Sequence, residues 1–176
     1  TVKPNIGHQA ICEFEQRGQL LGLITQNIDG LHKLAGTADS RLVELHGTDR
    51  FVTCLKCGKT FQPADVYETW QEGLPTPTCD NCDGFLKSAN ISFGQSMPVE
   101  AMQCAQRWSE QADIFLVIGS SLQVQPAASF PVIAKRSGAL LGIVNRDPTP
   151  LDDLADFIHN GAIGEFFTQL KILLDH

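Results

Sequence analysis

The placement of the cysteines constrains this chain more than any other feature. Four of its six cysteines fall in two matching knuckles, Cys54-Leu55-Lys56-Cys57-Gly58 and Cys79-Asp80-Asn81-Cys82-Asp83-Gly84. Two residues between thiolates let one tight turn aim both sulfurs at a single ion, and four thiolates fill a tetrahedral shell with no position left for water. The pattern predicts one structural zinc ion held by Cys54, Cys57, Cys79 and Cys82. Gly58 and Gly84, just after each pair, are expected to relax the backbone there. Cys12 and Cys104 stand apart in helix-like segments and read as buried apolar residues.

The knuckles sit in a stretch of different character from the rest. Residues 50–87 hold three prolines and a short helix-like run from Pro63 to Glu72, and read as a small inserted lobe. The flanking residues, 1–49 and 88–176, repeat another grammar. Leu20-Leu21-Gly22-Leu23-Ile24-Thr25 is a short apolar run ending in the turn-prone Gln26-Asn27-Ile28-Asp29-Gly30. Ile114 to Ile118 ends in Gly119-Ser120-Ser121, and Leu140 to Val144 ends in Asn145-Arg146-Asp147-Pro148. Helix-like segments are expected at Pro4 to Gln16, with Ile6, Ala10, Ile11 and Phe14 on one face and Gly18 as the stop, and at Val99 to Gln111, Pro126 to Arg136 and Gly164 to Leu174. Continuous apolar strands alternating with helices imply an α/β fold with a parallel sheet buried on both faces. In such sheets ligands bind beyond the carboxyl ends of the strands. Three strands that finish in small or polar residues therefore point to one site.

A formal net charge of −7 without a dense basic stretch argues against nucleic acid as a partner. No apolar run reaches the length needed to span a bilayer, and no secretory signal is visible, so a cytoplasmic location is expected.

Taken in order, Thr25-Gln26-Asn27-Ile28-Asp29-Gly30-Leu31-His32, Glu44-Leu45-His46-Gly47, the doubled knuckle, Ile91-Ser92-Phe93-Gly94-Gln95, Gly119-Ser120-Ser121-Leu122-Gln123-Val124-Gln125-Pro126-Ala127-Ala128 and Val144-Asn145 resemble the sirtuin family, in its bacterial type. The resemblance implies a Rossmann-like NAD-binding domain of parallel-sheet α/β type with an inserted zinc lobe. It implies NAD-dependent deacylation of lysine side chains: the acyl group passes to ADP-ribose and nicotinamide leaves. A base must then activate a ribose hydroxyl, and His46 is the candidate, because a neutral imidazole accepts a proton near neutral pH. Asn27 is the second catalytic candidate. By the same resemblance Gln26, Asn27, Ile28 and Asp29 hold the ribose and nicotinamide. Gly119, Ser120 and Ser121 suit phosphate or ribose oxygens, and Asn145, Arg146 and Ile163 are expected near the adenosine half. Ile91, Phe93 and Gly94 fall where the family pairs an extended acyl-lysine peptide as an added strand. Gln95 stands where many relatives carry Glu. His8, His32, His159 and His176 read as ordinary histidines.

The glycine-rich opening loop of sirtuins has no counterpart here, so the chain reads as N-terminally truncated, with weakened NAD binding expected. Two alternatives stay open: mono-ADP-ribosyl transfer from the same NAD site, and a non-catalytic zinc-containing binding fragment.

Overall fold

A computed structural model of the chain describes residues 2–68, 70 and 74–174. Glu72, the expected end of one helix, and His176 lie outside the described residues. The chain divides into two compact units: Thr1–Ile24, Leu31–Val43 and Pro98–His176 in the first, Thr25–Gly30 and Glu44–Met97 in the second.

The first unit opens with α1 (Ile6–Gln16). The helix starts two residues later than the periodicity suggests, because Asn5 is its cap. The Asn5 side chain accepts from the N–H groups of Gly7 and His8, and the His8 ring reaches back to the Asn5 N–H. Gly18, at φ 69°, lies just beyond its end as expected. The buried face is Gly7, Ile11 and Cys12 rather than one containing Ile6, which is exposed. A Cβ at position 7 would lie 3.2 Å from Ile163 Cγ2 and 3.4 Å from Phe167, so the glycine lets α1 approach α6 (Ile163–Leu174) closely.

Strand β1 covers only Leu23–Thr25, shorter than the apolar run around it. Upstream, Gly22 lies against the Trp108 indole of α4 (Val99–Gln111), and the Leu21 carbonyl accepts from Arg41 Nη1 at 2.7 Å. Those contacts take the place of ladder pairing. A short helix α2 (Leu31–Ala35) and β2 (Leu42–Glu44) follow, and β2 pairs with β1.

The larger sheet of this unit is parallel, in the order β6 (Ile114–Ile118), β7 (Leu140–Asn145), β8 (Phe157–Asn160). Both apolar strands stand where the sequence puts them. The central strand is the buried one: Leu141, Ile143 and Val144 are sealed. Leu141 and Ile143 pack with Val117, Leu122 and Ala128 on one face. On the other, a Cβ at Gly142 would lie 2.9 Å from Leu116 Cδ1, while Phe157 stacks near Phe166 of α6. Ile114, Phe157 and Ile158 on the outer strands are exposed. The segment expected as one helix from Pro126 begins as a 3-10 turn, Ala127–Ser129, and becomes α5 (Phe130–Arg136). Of the lone cysteines Cys12 is buried and Cys104 half-buried.

The second unit is antiparallel, with β3 (Gly47–Cys54) between β4 (Thr60–Phe61) and β5 (Leu86–Asn90). Helix α3 is Pro63–Tyr67. The ladder from Cys54↔Leu86 to Val52↔Ser88 is regular, and then the register jumps to Gly47↔Asn90. Residues 48–51 thus bulge out of the pairing, which frees their donors for another segment. Among the described residues no helix is long and apolar enough to cross a membrane.

Candidate functional site

In the second unit the bulge meets the turn-prone segment 26–30. The Asp49 N–H donates to the Ile28 carbonyl at 2.9 Å, and the Thr48 hydroxyl donates to the same oxygen at 3.4 Å. Buried Leu45 anchors the neighbouring corner, its N–H donating to the Thr25 carbonyl at 2.9 Å. His46 follows in that corner, half-buried, with Nδ1 3.1 Å from the Gln26 carbonyl. A carbonyl oxygen only accepts, so in this bond Nδ1 carries the proton and Nε2 is the basic nitrogen. Asn27 and Asp29 are exposed on the loop, and the Asn27 N–H is tied to Thr25 Oγ1 at 3.1 Å.

Two glycines make this arrangement possible. Gly30, buried at φ 70°, lies on the Arg50 stem, where a Cβ would sit 2.3 Å from Arg50 Cδ. Gly47, at φ 69°, passes so close to β5 that a Cβ would come 2.3 Å from the Ala89 carbonyl. That approach lets the Ile91 N–H donate to the His46 carbonyl at 2.8 Å. The Ile91, Phe93 and Gly94 segment therefore starts beside His46. It runs into a turn closed by the Gln95 N–H on the Ser92 carbonyl, and Phe93 stands fully exposed.

The first unit holds the remaining expected residues. Gly119 (φ 61°) and Asn145 end adjacent parallel strands at the same level, since Ile118 pairs with Val144 and the Gly119 N–H donates to the Val144 carbonyl at 2.9 Å. Gly119 and Ile163 touch: a Cβ at 119 would lie 2.8 Å from Ile163 Cδ1. Ser120 is half-buried and its Oγ accepts from the Leu122 N–H at 3.3 Å. That bond accompanies a left-handed backbone at Leu122, φ 54°, a sparsely populated conformation for a leucine. Ser121 and Arg146 are exposed. Asn145 Nδ2 donates to the Asp147 carbonyl at 2.8 Å, shaping the loop after β7.

The four knuckle sulfurs lie within 4.8 Å of one another. Cys54 and Cys82 are 3.5 Å apart and Cys57 and Cys79 3.7 Å, far beyond a disulfide. A tetrahedron with bonds of about 2.3 Å separates its sulfurs by about 3.8 Å, so the donor set fits one zinc ion. The two turns are superposable in their bonding. Cys54 N–H donates to the Lys59 carbonyl and Gly58 N–H to the Cys54 carbonyl; Cys79 N–H donates to the Gly84 carbonyl and Asp83 N–H to the Cys79 carbonyl. The left-handed position is Gly58 (φ 74°) in the first knuckle but Asp83 (φ 56°) in the second. Gly84 is needed for a different reason from the one the sequence suggests: a Cβ there would lie 2.7 Å from Cys54 Sγ. The backbone N–H of Cys57 leads in lowering the Cys54 thiol to about 6. Cys82 goes the other way: although the Gly84 N–H opposes it, burial and the neighbouring sulfurs push this thiol up to about 12. Without a cation, four crowded sulfurs hold on to a proton; a divalent metal removes that obstacle.

Two residues of this site carry no motif in the sequence, Thr48 and Arg50. Arg50 Nε donates to Thr48 Oγ1 at 3.2 Å and its Nη2 pairs with Glu44 Oε2 at 3.4 Å. The signal that could have found them is Gly30, whose missing side chain makes room for Arg50.

Comparison with known proteins agrees with the fold. The Sir2 family model matches residues 1–126. An NAD-dependent protein deacetylase 1 of Bradyrhizobium diazoefficiens is 46% identical over 164 residues, covering 93% of this chain and 64% of that protein. A protein of the same name from Geobacillus kaustophilus is 44% identical over 170 residues, 96% of this chain and 66% of that protein. The chain thus spans somewhat under two thirds of the length of these relatives. A solved Sir2 structure with p53 peptide and NAD+ superposes with a TM-score of 0.93 at 36% identity, over 99% of this chain and 71% of that one. Sir2 in complex with the inhibitor EX-527, 2′-O-acetyl-ADP-ribose and deacetylated p53 peptide gives 0.90 at 36% identity, over 98% and 73%. With its ordered motifs, its parallel and antiparallel sheets and its tetracysteine cluster, this chain belongs to the Sir2 family.

Proposed function

We propose that the chain carries the chemistry of an NAD-dependent protein-lysine deacylase, with acyl-lysine proteins or peptides as substrates. The single observation that carries the reading is the His46 ring. Its Nδ1 proton is committed to the Gln26 carbonyl, so Nε2 can take a proton from a ribose hydroxyl. NAD supplies a nicotinamide leaving group and a ribose that accepts the acyl group. Gln26, Asn27, Ile28 and Asp29 hold the nicotinamide and its ribose, with Asn27 orienting the reacting groups. Gly119, Ser120, Ser121, Asn145, Arg146 and Ile163 hold the pyrophosphate and adenosine portions. These residues suit a dinucleotide, because Gly119 offers exposed backbone and the polar ends of β6 and β7 stand side by side where parallel sheets bind nucleotides. Ile91, Phe93 and Gly94 pair with the peptide as an added strand, next to His46.

Cys54, Cys57, Cys79 and Cys82 hold a structural zinc that fixes residues 50–87 as a lobe inserted between 1–49 and 88–176. Four thiolates leave no open coordination position, which keeps the metal out of the reaction. The chain acts in the cytoplasm. The names of its relatives and the peptide, NAD+ and 2′-O-acetyl-ADP-ribose complexes of Sir2 support the activity.

The test is incubation with NAD and an acetyl-lysine peptide, with products read by mass spectrometry. Nicotinamide and acetyl-ADP-ribose are expected together. ADP-ribosylated protein in place of acetyl-ADP-ribose would assign ADP-ribosyl transfer instead, and zinc retention with no nicotinamide release would mark a binding fragment.

A further inference from the structure

Several polar contacts in the second unit converge on one side chain that no motif marks. Arg50 lies under Gly30, with its Cδ 2.3 Å from where a Cβ would be. Its Nε and its backbone N–H both donate to Thr48 Oγ1, at 3.2 and 3.3 Å. Those two bonds fill the acceptor side of the hydroxyl, so its proton points to the Ile28 carbonyl, 3.4 Å away. Nη2 reaches Glu44, whose side chain is only 14% exposed. Glu44 precedes the His46 corner and Thr48 follows it, so the guanidinium closes the corner at both ends. The Asp49 N–H adds a second bond to Ile28.

We infer that Arg50 is a positioning residue for the reaction: it fixes the Gln26–Gly30 loop and the His46 corner relative to each other, and so holds His46 Nδ1 on the Gln26 carbonyl. It touches no reacting atom. A forked guanidinium suits this role, since a single ammonium cannot engage Thr48 and Glu44 with the same planar geometry. The paired Glu44 carboxylate keeps Arg50 in place, and the Phe51 ring lies 5.5 Å from the guanidinium carbon. The inference rests on His46 being the base, but its main readout does not.

The test uses the zinc-loaded chain with Arg50→Met, which keeps a stem under Gly30 and removes the side-chain donors. In the wild type the two ring nitrogens of His46 should show the widely separated 15N shifts of a fixed Nδ1–H tautomer. In R50M the separation should collapse toward an average, with zinc content unchanged. Arg50→Lys should restore part of the separation. In turnover, R50M should lower kcat by about tenfold or more while the peptide KM moves less than about twofold, as expected when reacting groups are misplaced rather than lost. An R50M chain with full zinc and a wild-type His46 spectrum overturns the inference. Loss of zinc in both R50M and R50K also overturns it, by making Arg50 a folding residue. If the wild type releases no nicotinamide but the tautomer still depends on Arg50, the deacylase reading falls and the positioning role stands.

Discussion

At His46 the decisive partner is a main-chain carbonyl, so the tautomer depends on where the Gln26 backbone lies and not on the Gln26 side chain. Substituting residue 26 should therefore disturb ligand contacts more than the imidazole. His46→Ala should cut deacylation by about 10² to 10⁴, the usual yield of a positioned base, with zinc content unchanged; steady-state kinetics beside metal analysis would check it. Asp83 makes a second case. It holds at φ 56° the turn position that Gly58 fills in the twin knuckle. Since glycine takes that conformation without a Cβ penalty, Asp83→Gly should leave stability unchanged or raise it by up to about 1 kcal/mol. Gly58→Ala should lower it by a similar amount. Thermal unfolding of the zinc-loaded variants would separate the two. The His46 candidate was readable from its motif, but Arg50 was not. Its role comes from a glycine twenty residues upstream having no side chain, and nothing local to Arg50 encodes that.

Strands and helices differ in how far the sequence betrays them. β6, β7 and α4 fall where apolar runs and helical spacing put them, because each is specified by its own residues. β1 is shorter than its apolar run, since Trp108 and Arg41 claim the residues before it. The β3–β5 pairing could not be read at all: it joins segments more than thirty residues apart, and β3 has no strict alternation. One tertiary tie between elements has a pH signature. Asp156 accepts from Lys135 Nζ of α5 at 2.6 Å and from the Leu141 N–H of β7 at 2.8 Å. Lys135 first, then the Leu141 N–H, holds this carboxyl below the usual carboxylate range. A lowered folded-state value stabilises the native state above the unfolded value, about 3.9, and the benefit vanishes as pH falls through the folded one. Asp156→Asn should thus lower Tm at pH 7, and the gap from wild type should close in acid; paired melting curves across pH would show it.

For the molecule as a whole the zinc site is the fixed point that the sequence announces most plainly. β3 ends at Cys54, and Cys79 is almost fully buried, so the ion joins the end of the sheet to a distant turn. Chelation, or Cys79→Ala, should release zinc, lower Tm, and open the β3 and β5 amides to hydrogen exchange. Retention of full metal and of that protection in Cys79→Ala would contradict the assignment. The ordering of motifs along the chain was legible from end to end, which is why the family could be read without coordinates. The bonding between corner, loop and bulge was not, because its acceptors at Thr25, Gln26 and Ile28 are main-chain carbonyls, which every residue type shares.

The register jump between Gly47 and Val52 sets a limit on how this part of the chain can change its length. Shortening residues 48–51 would let β3 zip onto β5 without a break, and the amide now offered to Ile28 would be spent on the ladder instead. Insertions in the loops between the knuckles and the strands would only lengthen a loop, whereas trimming here would exchange the bond that holds the 26–30 segment for a longer, unbroken β3–β5 ladder.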